Sequence, residues 1–289
     1  MPMNESTFEN AAKQTLFYRR WQPTGRVRAT LAIVPGFNSH SGYYGWVAEQ
    51  LERCGMASYA LDLRGRGRSG GERFYVDDFE EYVSDLADFV SLIQEQSMAP
   101  LYLLGHSAGG VVAALYAAET QVKLAGLICE SFAFRVPAPD FALSLLKGVS
   151  HVAPHAHVLK LKNGEFSRDL QAVSAMNRDP LIAEESQPSK TVAAMVRADE
   201  RLERAFPNIT LPLFILHGTA DRATKPSGSQ LFFEMAGARD KTLKLYEGYY
   251  HDPLNDVGKS VVMTDILNWL ETRTSKGASA QPNTTLALP

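Results

Sequence analysis

The sequence is poor in cysteine and contains neither a long apolar run nor a leader-like start. Two cysteines, Cys54 and Cys129, are too few for the disulfide framework of a small secreted domain, and we interpret both as free thiols in a reducing compartment. No segment approaches the roughly 18 consecutive apolar residues of a membrane-spanning helix. Residues 1–10 are polar and lack the apolar core of a signal peptide. We therefore predict a cytoplasmic protein.

Charge and histidine spacing argue against two further classes of function. The net charge is −3 and no stripe rich in lysine and arginine occurs, so the chain lacks the electrostatic footprint of a nucleic-acid-binding protein. His151, His155 and His157 form a cluster without carboxylates close in sequence, and neither a Cys-x-x-Cys nor a His-Glu-x-x-His pattern is present. We therefore expect neither a structural zinc site nor a zinc hydrolase.

Strand and helix signals alternate along the chain, as a doubly wound α/β sheet requires. The hydrophobic content of 45% in 289 residues is sufficient for a full core. An antiparallel arrangement is one option for the two opening strands. The predicted strands are 17–21, 29–34, 57–61, 101–104, 124–129, 213–216 and 242–246, and the predicted helices include 46–53, 79–96, 229–238 and 259–272.

The pentapeptide Gly-His-Ser-Ala-Gly at residues 105–109 stands between an apolar run and a helical stretch. A serine hydroxyl is a weak nucleophile at neutral pH, and a sharp strand-to-helix turn flanked by small residues presents it to a base. The N-terminus of the following helix favours the negative charge that develops on a carbonyl oxygen during acyl transfer. We interpret the pentapeptide as a nucleophile elbow, with Ser107 as the catalytic nucleophile.

An acid and a histidine follow the serine in the order that such an elbow requires. Asp221 and His251 each come shortly after an apolar run, so we expect both at the C-terminal ends of parallel strands, where catalytic groups collect. We predict that His251 accepts the proton of Ser107 and that Asp221 orients and stabilises the imidazole. Glu130, at the end of another predicted strand, remains an alternative acid. Two other histidines are interpreted as packed side chains: His106 and His217.

Residues 131–206 interrupt the alternation of strands and helices and contain several prolines. An insertion at this point lies over the C-terminal ends of the strands, so we predict a cap or lid between two core segments, 1–130 and 207–274. Four apolar residues of the cap are candidates for acyl binding: Phe132, Phe134, Phe141 and Leu145. They could equally seat the cap on the core. Residues 275–289 have the composition of a disordered tail.

Further motifs accompany the elbow, the acid and the histidine. They are a loop rich in arginine and glycine at 62–71, the motif Asn-Arg-Asp-Pro-Leu-Ile of the predicted cap at 177–182, and the stretch 241–248. With these features the sequence resembles, from Thr15 to Thr272, the monoacylglycerol lipase and lysophospholipase-like α/β-hydrolases of the serine aminopeptidase S33 type. The resemblance implies a mostly parallel twisted sheet flanked by helices, with a helical cap inserted after the sixth strand. It also implies a cofactor-free serine hydrolase acting on carboxylic esters. We expect a small-molecule acyl ester as substrate and transient contact with lipid through the cap.

The resemblance also implies the position of an oxyanion hole. The family motif His-Gly-x-x-x-His-Ser-Gly corresponds to residues 35–42 of this sequence. By position, the backbone N–H groups of Phe37 and Ala108 would then face the negatively charged oxygen of the tetrahedral intermediate. Asn38 and His40 lie in the same loop and are further candidates for substrate binding.

Three positions depart from the monoglyceride lipases of this group. The acidic and basic residues of the oxyanion loop and the second histidine, which help to hold the glycerol head in those enzymes, correspond to Ser39, Tyr43 and Leu254. Because an apolar site does not easily replace one that reads hydroxyls by hydrogen bonds, the sequence favours a general carboxylesterase with a less polar alcohol pocket. Thioester hydrolysis, amide hydrolysis, other acyl transfer and a non-catalytic ligand-binding role remain alternatives.

Overall fold

An eight-stranded sheet forms the centre of the molecule in the computed structural model, which describes residues 3–120, 124–134 and 147–279. Two further strands, β7 and β8, form a separate antiparallel ribbon. In chain order the strands are β1 (Asn4–Glu9), β2 (Thr15–Trp21), β3 (Thr30–Val34), β4 (Ala57–Leu61), β5 (Leu101–His106), β6 (Gly126–Glu130), β7 (His157–Leu159), β8 (Gln187–Pro188), β9 (Leu213–Gly218) and β10 (Lys241–Tyr246).

The order of strands across the large sheet is β1-β2-β4-β3-β5-β6-β9-β10. Strands β3, β4, β5, β6, β9 and β10 run parallel, and β1 and β2 join the edge in antiparallel fashion. Of the two opening strands predicted from sequence, only β2 is therefore antiparallel to its neighbours, because β3 lies between β4 and β5 in parallel register. Strand β1 was not predicted, since it is a polar and mostly exposed edge strand.

Helices cover both faces of the sheet. They are α1 (Gly45–Arg53), α2 (Glu80–Gln96), α3 (Ala108–Glu119), α4 (Leu170–Arg178), α5 (Ser189–Ala205), α6 (Pro226–Met235) and α7 (Lys259–Ser279). Short 3₁₀ helices occur at Ser41–Tyr44, Asn163–Glu165, Phe206–Asn208 and Pro253–Asn255. Helix α7 extends into the segment predicted as a tail, and residues 280–289 of that segment lie outside the described residues.

The core consists of two apolar layers separated by the sheet. Successive residues of a central strand point to opposite layers, so Leu103 packs with α2 and α3 while Leu104 packs with α1 and α7. Because both faces are covered, β3 to β6 are buried along their whole length and appear in sequence as continuous apolar runs. Helix α3 is buried from Ala108 to Ala117, since it is covered by α2 and α5 as well as by the sheet.

Residues 131–206, called here the insertion, follow β6 and contribute β7, β8, α4 and α5. Its longest described helix is α5, and residues 135–146 of the insertion lie outside the described residues. Polar contacts attach the insertion to the loop after β4: the Thr191 hydroxyl accepts the Val76 N–H at 3.0 Å. Across the described part of the chain, no helix is both long and apolar enough to cross a membrane.

Candidate active site

The turn between β5 and α3 holds Ser107 in a strained backbone conformation. Its φ angle is +54°, in the left-handed region that side chains other than glycine rarely adopt. The neighbouring chain leaves no room for side chains on either side of it. A Cβ atom at Gly105 would lie 2.5 Å from the Gly109 carbonyl oxygen, and one at Gly109 would lie 2.1 Å from the Val34 carbonyl oxygen. The two glycines are therefore a steric requirement of the elbow predicted from the sequence.

Ser107, His251 and Asp221 come from three different strand ends and form one hydrogen-bonded chain. The Ser107 Oγ lies 2.9 Å from His251 Nε2, and His251 Nδ1 lies 2.7 Å from Asp221 Oδ2. The side chains of His251 and Asp221 are fully buried. Because Nδ1–H donates a hydrogen bond to the carboxylate, Nε2 keeps its lone pair toward the serine hydroxyl. The arrangement can accept a proton from Ser107.

Asp221 accepts hydrogen bonds at both carboxylate oxygens. Oδ1 accepts the backbone N–H groups of Ala223 and Thr224 at 2.8 and 3.0 Å. Oδ2 accepts the Thr224 hydroxyl at 2.8 Å and His217 Nε2 at 2.9 Å, in addition to His251. Burial alone would raise the pKa of Asp221, but the His251 charge and the hydrogen bonds from both histidines outweigh it and hold that pKa well below its usual range.

His217 hydrogen-bonds to the predicted acid, Asp221. The sequence analysis missed this contact because it interpreted His217 only as a packed side chain. Its Nδ1 accepts a hydrogen bond from the Ser229 hydroxyl at 2.7 Å, so its proton is on Nε2, which donates a hydrogen bond to Asp221. Burial lowers the pKa of His217, which keeps the ring neutral. The available signal was the spacing His217-x-x-x-Asp221 at the end of β9. Phe166 was missed as well, and its ring packs edge-on against His251 with centroids 4.9 Å apart.

Glu130, the alternative acid, lies at the end of β6 but bonds elsewhere. Its Oε1 accepts the Leu254 N–H at 2.9 Å, and Oε2 has no hydrogen-bond partner among the described residues. Burial, with a further contribution from the Asp252 charge, raises the pKa of Glu130 well above its usual range. The neighbouring His106 donates from Nε2 to the His251 carbonyl at 3.2 Å. Glu130 and His106 therefore hydrogen-bond to the backbone of the segment that carries His251, and the His106 ring also packs against the His251 ring with centroids 5.0 Å apart.

His106, Glu130 and Asp252 also offer ligand atoms within 4.8 Å of one another. A divalent cation requires deprotonated carboxylates, and burial opposes that state at Glu130. The histidine Nε2 is already engaged with a carbonyl group. Because burial raises the pKa of Glu130, the cluster fits a packed group of side chains better than a metal site.

The oxyanion loop, residues 35–42, lies directly against the nucleophile. A Cβ atom at Gly36 would lie 2.7 Å from Ser107 Cβ and 3.4 Å from the Ala108 nitrogen. Within the described residues the Phe37 N–H has no acceptor, and Ala108 begins α3, where a backbone N–H has no intrahelical partner. Two backbone donors without an acceptor among the described residues thus occur, one in the oxyanion loop and one at the start of α3.

The other predicted binding residues of this loop are engaged with the insertion. The Asn38 side chain donates to Asn163 at 3.0 Å, and its backbone N–H donates to Glu185 at 2.9 Å. The His40 Nδ1 accepts the Gly42 N–H, so Nε2 donates to Asp179 at 2.8 Å. Both residues thereby connect the oxyanion loop to the insertion.

The four apolar candidates have different outcomes. Phe132 and Phe134 are buried and stack on each other with centroids 5.9 Å apart. Phe132 also packs against Phe232, and Phe134 packs against Phe206. Their described contacts therefore seat the start of the insertion on the core, while acyl binding stays a prediction. The other two candidates lie outside the described residues: Phe141 and Leu145.

A cavity of about 250 Å³ lies beside the residues that follow Phe37 and His251. Its polar lining residues include Ser39, Tyr43, Asp169, Gln171, Asp252 and Asn255. The Tyr43 hydroxyl donates to Asp179 at 2.7 Å, whereas Leu254 is fully buried in a core layer and does not line the cavity. The lining is mixed, because Ala172, Ala175 and Met176 of the insertion lie beside these polar groups, and the less polar alcohol pocket expected from the three departures stays a prediction.

Known proteins resemble this chain over most of its length. The family described as serine aminopeptidase, S33, matches residues 25–258. The chain is 36% identical to the monoglyceride lipase of Homo sapiens over 280 residues, which cover 94% of this chain and 92% of that protein. It is 29% identical to the monoacylglycerol lipase of Mycolicibacterium smegmatis, with 92% of this chain and 96% of that protein covered.

A solved structure agrees with the same relationship. The crystal structure of the Paleococcus ferrophilus monoacylglycerol lipase has a TM-score of 0.79 to this chain and 28% sequence identity. The match covers 94% of this chain and 100% of that one. Together with the strand order described above, this likeness confirms the α/β-hydrolase fold expected from the sequence.

Proposed function

The chain belongs to the serine aminopeptidase S33 family, and from this premise we propose that it cleaves carboxylic esters through an acyl-enzyme on Ser107. It is an ester-hydrolysing serine hydrolase, like the monoglyceride lipases to which it is similar. The observation that carries the proposed mechanism is the hydrogen-bonded chain from Ser107 Oγ through His251 to Asp221.

In this mechanism the Ser107 Oγ attacks the ester carbonyl while His251 Nε2 takes its proton. The C–O bond to the alcohol then breaks, and His251 returns the proton to the leaving oxygen. Water, activated by the same imidazole, hydrolyses the acyl-enzyme and regenerates the serine. Asp221 holds the required tautomer and stabilises the imidazolium, and the N–H groups of Phe37 and Ala108 bind the oxyanion.

The cavity of about 250 Å³, with the polar groups in its lining, is the proposed site of the alcohol part of the ester. Two of its lining residues are close in sequence to proposed catalytic groups. Ser39 follows the proposed oxyanion donor Phe37 by two positions, and Asp252 comes directly after His251. The hydroxyl, amide and carboxylate groups of the cavity suit an alcohol that carries further hydroxyl groups. Monoacylglycerol is such an ester, and it is the substrate named for the relatives. We therefore propose monoacylglycerol-type esters as substrates, with simple esters as the alternative that the sequence favoured.

The insertion is the proposed cap over the acyl side of the site, between core segments 1–130 and 207–274. It would also provide the transient contact with lipid from which the substrate is taken. The cytoplasmic location expected from the sequence remains part of this proposal.

The nucleophile can be tested with a fluorophosphonate probe. Wild-type protein should be labelled on the peptide that contains Ser107, and Ser107→Ala should lose both labelling and ester turnover while keeping its thermal unfolding transition. Retained turnover in the alanine variant would contradict the covalent mechanism.

The substrate is tested by comparing 1-octanoylglycerol with ethyl octanoate, which share the acyl chain. The proposal expects a higher kcat/KM for the glycerol ester. Gln171→Leu, on the exposed side of the cavity, should lower this ratio by roughly two- to tenfold, as expected for one lost hydrogen bond. A wild-type preference for the ethyl ester would favour the simple-ester alternative.

A further inference from the structure

An ion pair between Arg66 and Glu185 lies in the interior, between the loop after β4 and the insertion. The two residues are each 1% exposed, and Arg66 Nη1 donates to Glu185 Oε1. Gln187 completes the group: its Oε1 accepts Arg66 Nη2 at 2.7 Å and its Nε2 donates to Glu185 Oε1 at 2.9 Å. Charges this deeply buried are retained in a fold only when they are paired and hydrogen-bonded.

Both members of the pair also contact the oxyanion loop. The Glu185 Oε1 accepts the backbone N–H of Asn38 at 2.9 Å. The Arg66 guanidinium lies over the Phe37 ring at 3.8 Å from its centroid. Asn38 has a φ angle of +51°, a left-handed conformation that surrounding contacts must maintain. Arg66 therefore holds the loop at the Phe37 ring, and Glu185 holds it at the N–H of the following residue, Asn38.

We propose that Arg66 and Glu185 are positioning residues that hold the Phe37 N–H in the orientation required to bind the oxyanion. The inference rests on the proposed function, because that function assigns the Phe37 N–H as an oxyanion donor. A donor stabilises the transition state fully only if it is already aimed at the oxyanion, so that no reorganisation is needed during reaction. Since Glu185 belongs to the insertion, the oxyanion hole is complete only while the insertion is seated on the core.

The hydrogen bonding of the pair is consistent with this role and is not optimal for stability. In the described chain, Glu185 Oε2 is buried without a hydrogen-bond partner. A buried ion pair can often be replaced by apolar side chains of similar size without loss of stability. Such a replacement would preserve packing here but would remove the acceptor of the Asn38 N–H. Replacing both residues by apolar side chains can therefore remove the contact with the Asn38 N–H without lowering stability, which distinguishes a positioning role of the pair from a stabilising one.

The same loop supplies a matched control pair. Arg64 donates to Asp85 at 2.7 and 2.9 Å, and the Asp85 side chain is fully buried. Asp85 also accepts the Asn10 side chain near the N-terminus, and none of its described contacts reaches the oxyanion loop. Asp85→Asn therefore weakens a buried ion pair whose arginine, Arg64, is two positions before Arg66, and it does so without changing any contact with the oxyanion loop.

The test compares the steady-state kinetics of two single variants of Glu185 well below their unfolding temperatures. Glu185→Gln keeps an oxygen acceptor for the Asn38 N–H, and Glu185→Met removes it. We expect Met to lower kcat by about 10- to 100-fold with KM within about twofold, a loss approaching that of an oxyanion donor. Gln should keep kcat within about fivefold of wild type, because its carbonyl oxygen can replace the carboxylate as acceptor.

A double variant keeps the inference falsifiable if the single variants fold poorly. Arg66→Met combined with Glu185→Met should recover thermal stability, because no unpaired charge is left buried. Its kcat should nevertheless stay low, and its affinity for an alkyl trifluoromethyl ketone, which forms an oxyanion on the serine, should fall in parallel. Asp85→Asn should lower stability and leave kcat and ketone affinity unchanged.

Recovery of wild-type kcat together with stability in the double variant would overturn the inference and leave the pair a merely structural role. Equal losses in kcat for Glu185→Gln and Glu185→Met would overturn it as well. Neither result would affect the proposed function, which depends on fluorophosphonate labelling of Ser107. If the fluorophosphonate did not label Ser107 in wild-type protein, both the proposed function and this inference would be contradicted.

Discussion

Two buried carboxyl groups stand at the ends of neighbouring strands of the same sheet, and their surroundings differ. Asp221 follows β9 and Glu130 ends β6, which pairs with β9. The side chains of both residues are fully buried. Asp221 nevertheless bonds to the histidine ring that reaches Ser107, whereas Glu130 bonds to a backbone N–H.

The difference lies in the number of donors around each carboxyl group. Asp221 accepts five hydrogen bonds, from two backbone N–H groups, one hydroxyl and two imidazoles. Glu130 accepts one, from Leu254, and faces the negative charge of Asp252. The pKa of Asp221 is accordingly lowered and that of Glu130 raised. Position at a strand end therefore does not select the acid of a triad, because the local donors decide which carboxyl group is charged.

The largest effect is expected for Asp221→Asn. The amide has nearly the same shape as the carboxylate, but its NH₂ group can donate a hydrogen bond to His251 Nδ1, whereas the carboxylate accepts one. The variant therefore favours the wrong tautomer of His251. We expect kcat to fall about 10⁴-fold, the loss typical of this change in an intact triad. Hydrolysis of p-nitrophenyl butyrate would measure it, with Ser107→Ala setting the background rate. A loss of less than tenfold would mean that another group orients the imidazole.

A smaller effect is expected for His217→Leu. This variant removes one of the two imidazole donors of Asp221, so the carboxylate is less firmly fixed in the position from which it orients His251. We expect kcat to decrease about tenfold, the effect of losing a hydrogen bond to a charged group. His217→Gln is the matched control, because its amide N–H can replace Nε2 as donor. Equal activity in the leucine variant would show that the remaining donors suffice.

The smallest effect on activity is expected for Glu130→Gln, which should keep kcat within about threefold of wild type because the amide oxygen can still accept the Leu254 N–H. Its effect on stability should depend on pH. Burial raises the pKa of Glu130 in the folded state, so between the usual carboxyl pKa of 4.5 and the raised value the folded protein binds more protons than the unfolded chain. Stability from this group is therefore present at low pH and is lost as the pH rises.

Urea unfolding at pH 5 and pH 8 would measure this dependence. The free energy of unfolding of wild type, relative to Glu130→Gln, should be lower at pH 8 than at pH 5. Asp221 has the opposite sign, because its lowered pKa gives stability that is lost only as the pH falls below the usual carboxyl range. A difference between wild type and Glu130→Gln that does not change with pH would mean that Glu130 is charged throughout.

Much of this site could be predicted from local sequence because its chemistry imposes local requirements. The elbow needs small residues two positions on either side of Ser107, where any Cβ would collide with backbone. Asp221 and His251 each follow a strand of apolar residues, and parallel strands bring their C-terminal ends together. The contacts of Arg66 with Glu185 were not predictable in this way, since they join residues that are 119 positions apart in the chain.

The amino-acid sequence by itself determined the fold class, the elbow and the order of nucleophile, acid and base, because periodicity and steric limits act over a few residues. Only the tertiary structure decided which carboxyl group lies beside His251, that His217 is a donor to that carboxyl group, and that polar groups from distant segments line one cavity. These properties depend on dielectric surroundings and on donors brought together from distant segments. Burial and hydrogen bonding arise only when the whole chain has folded, and they set the charge of each group.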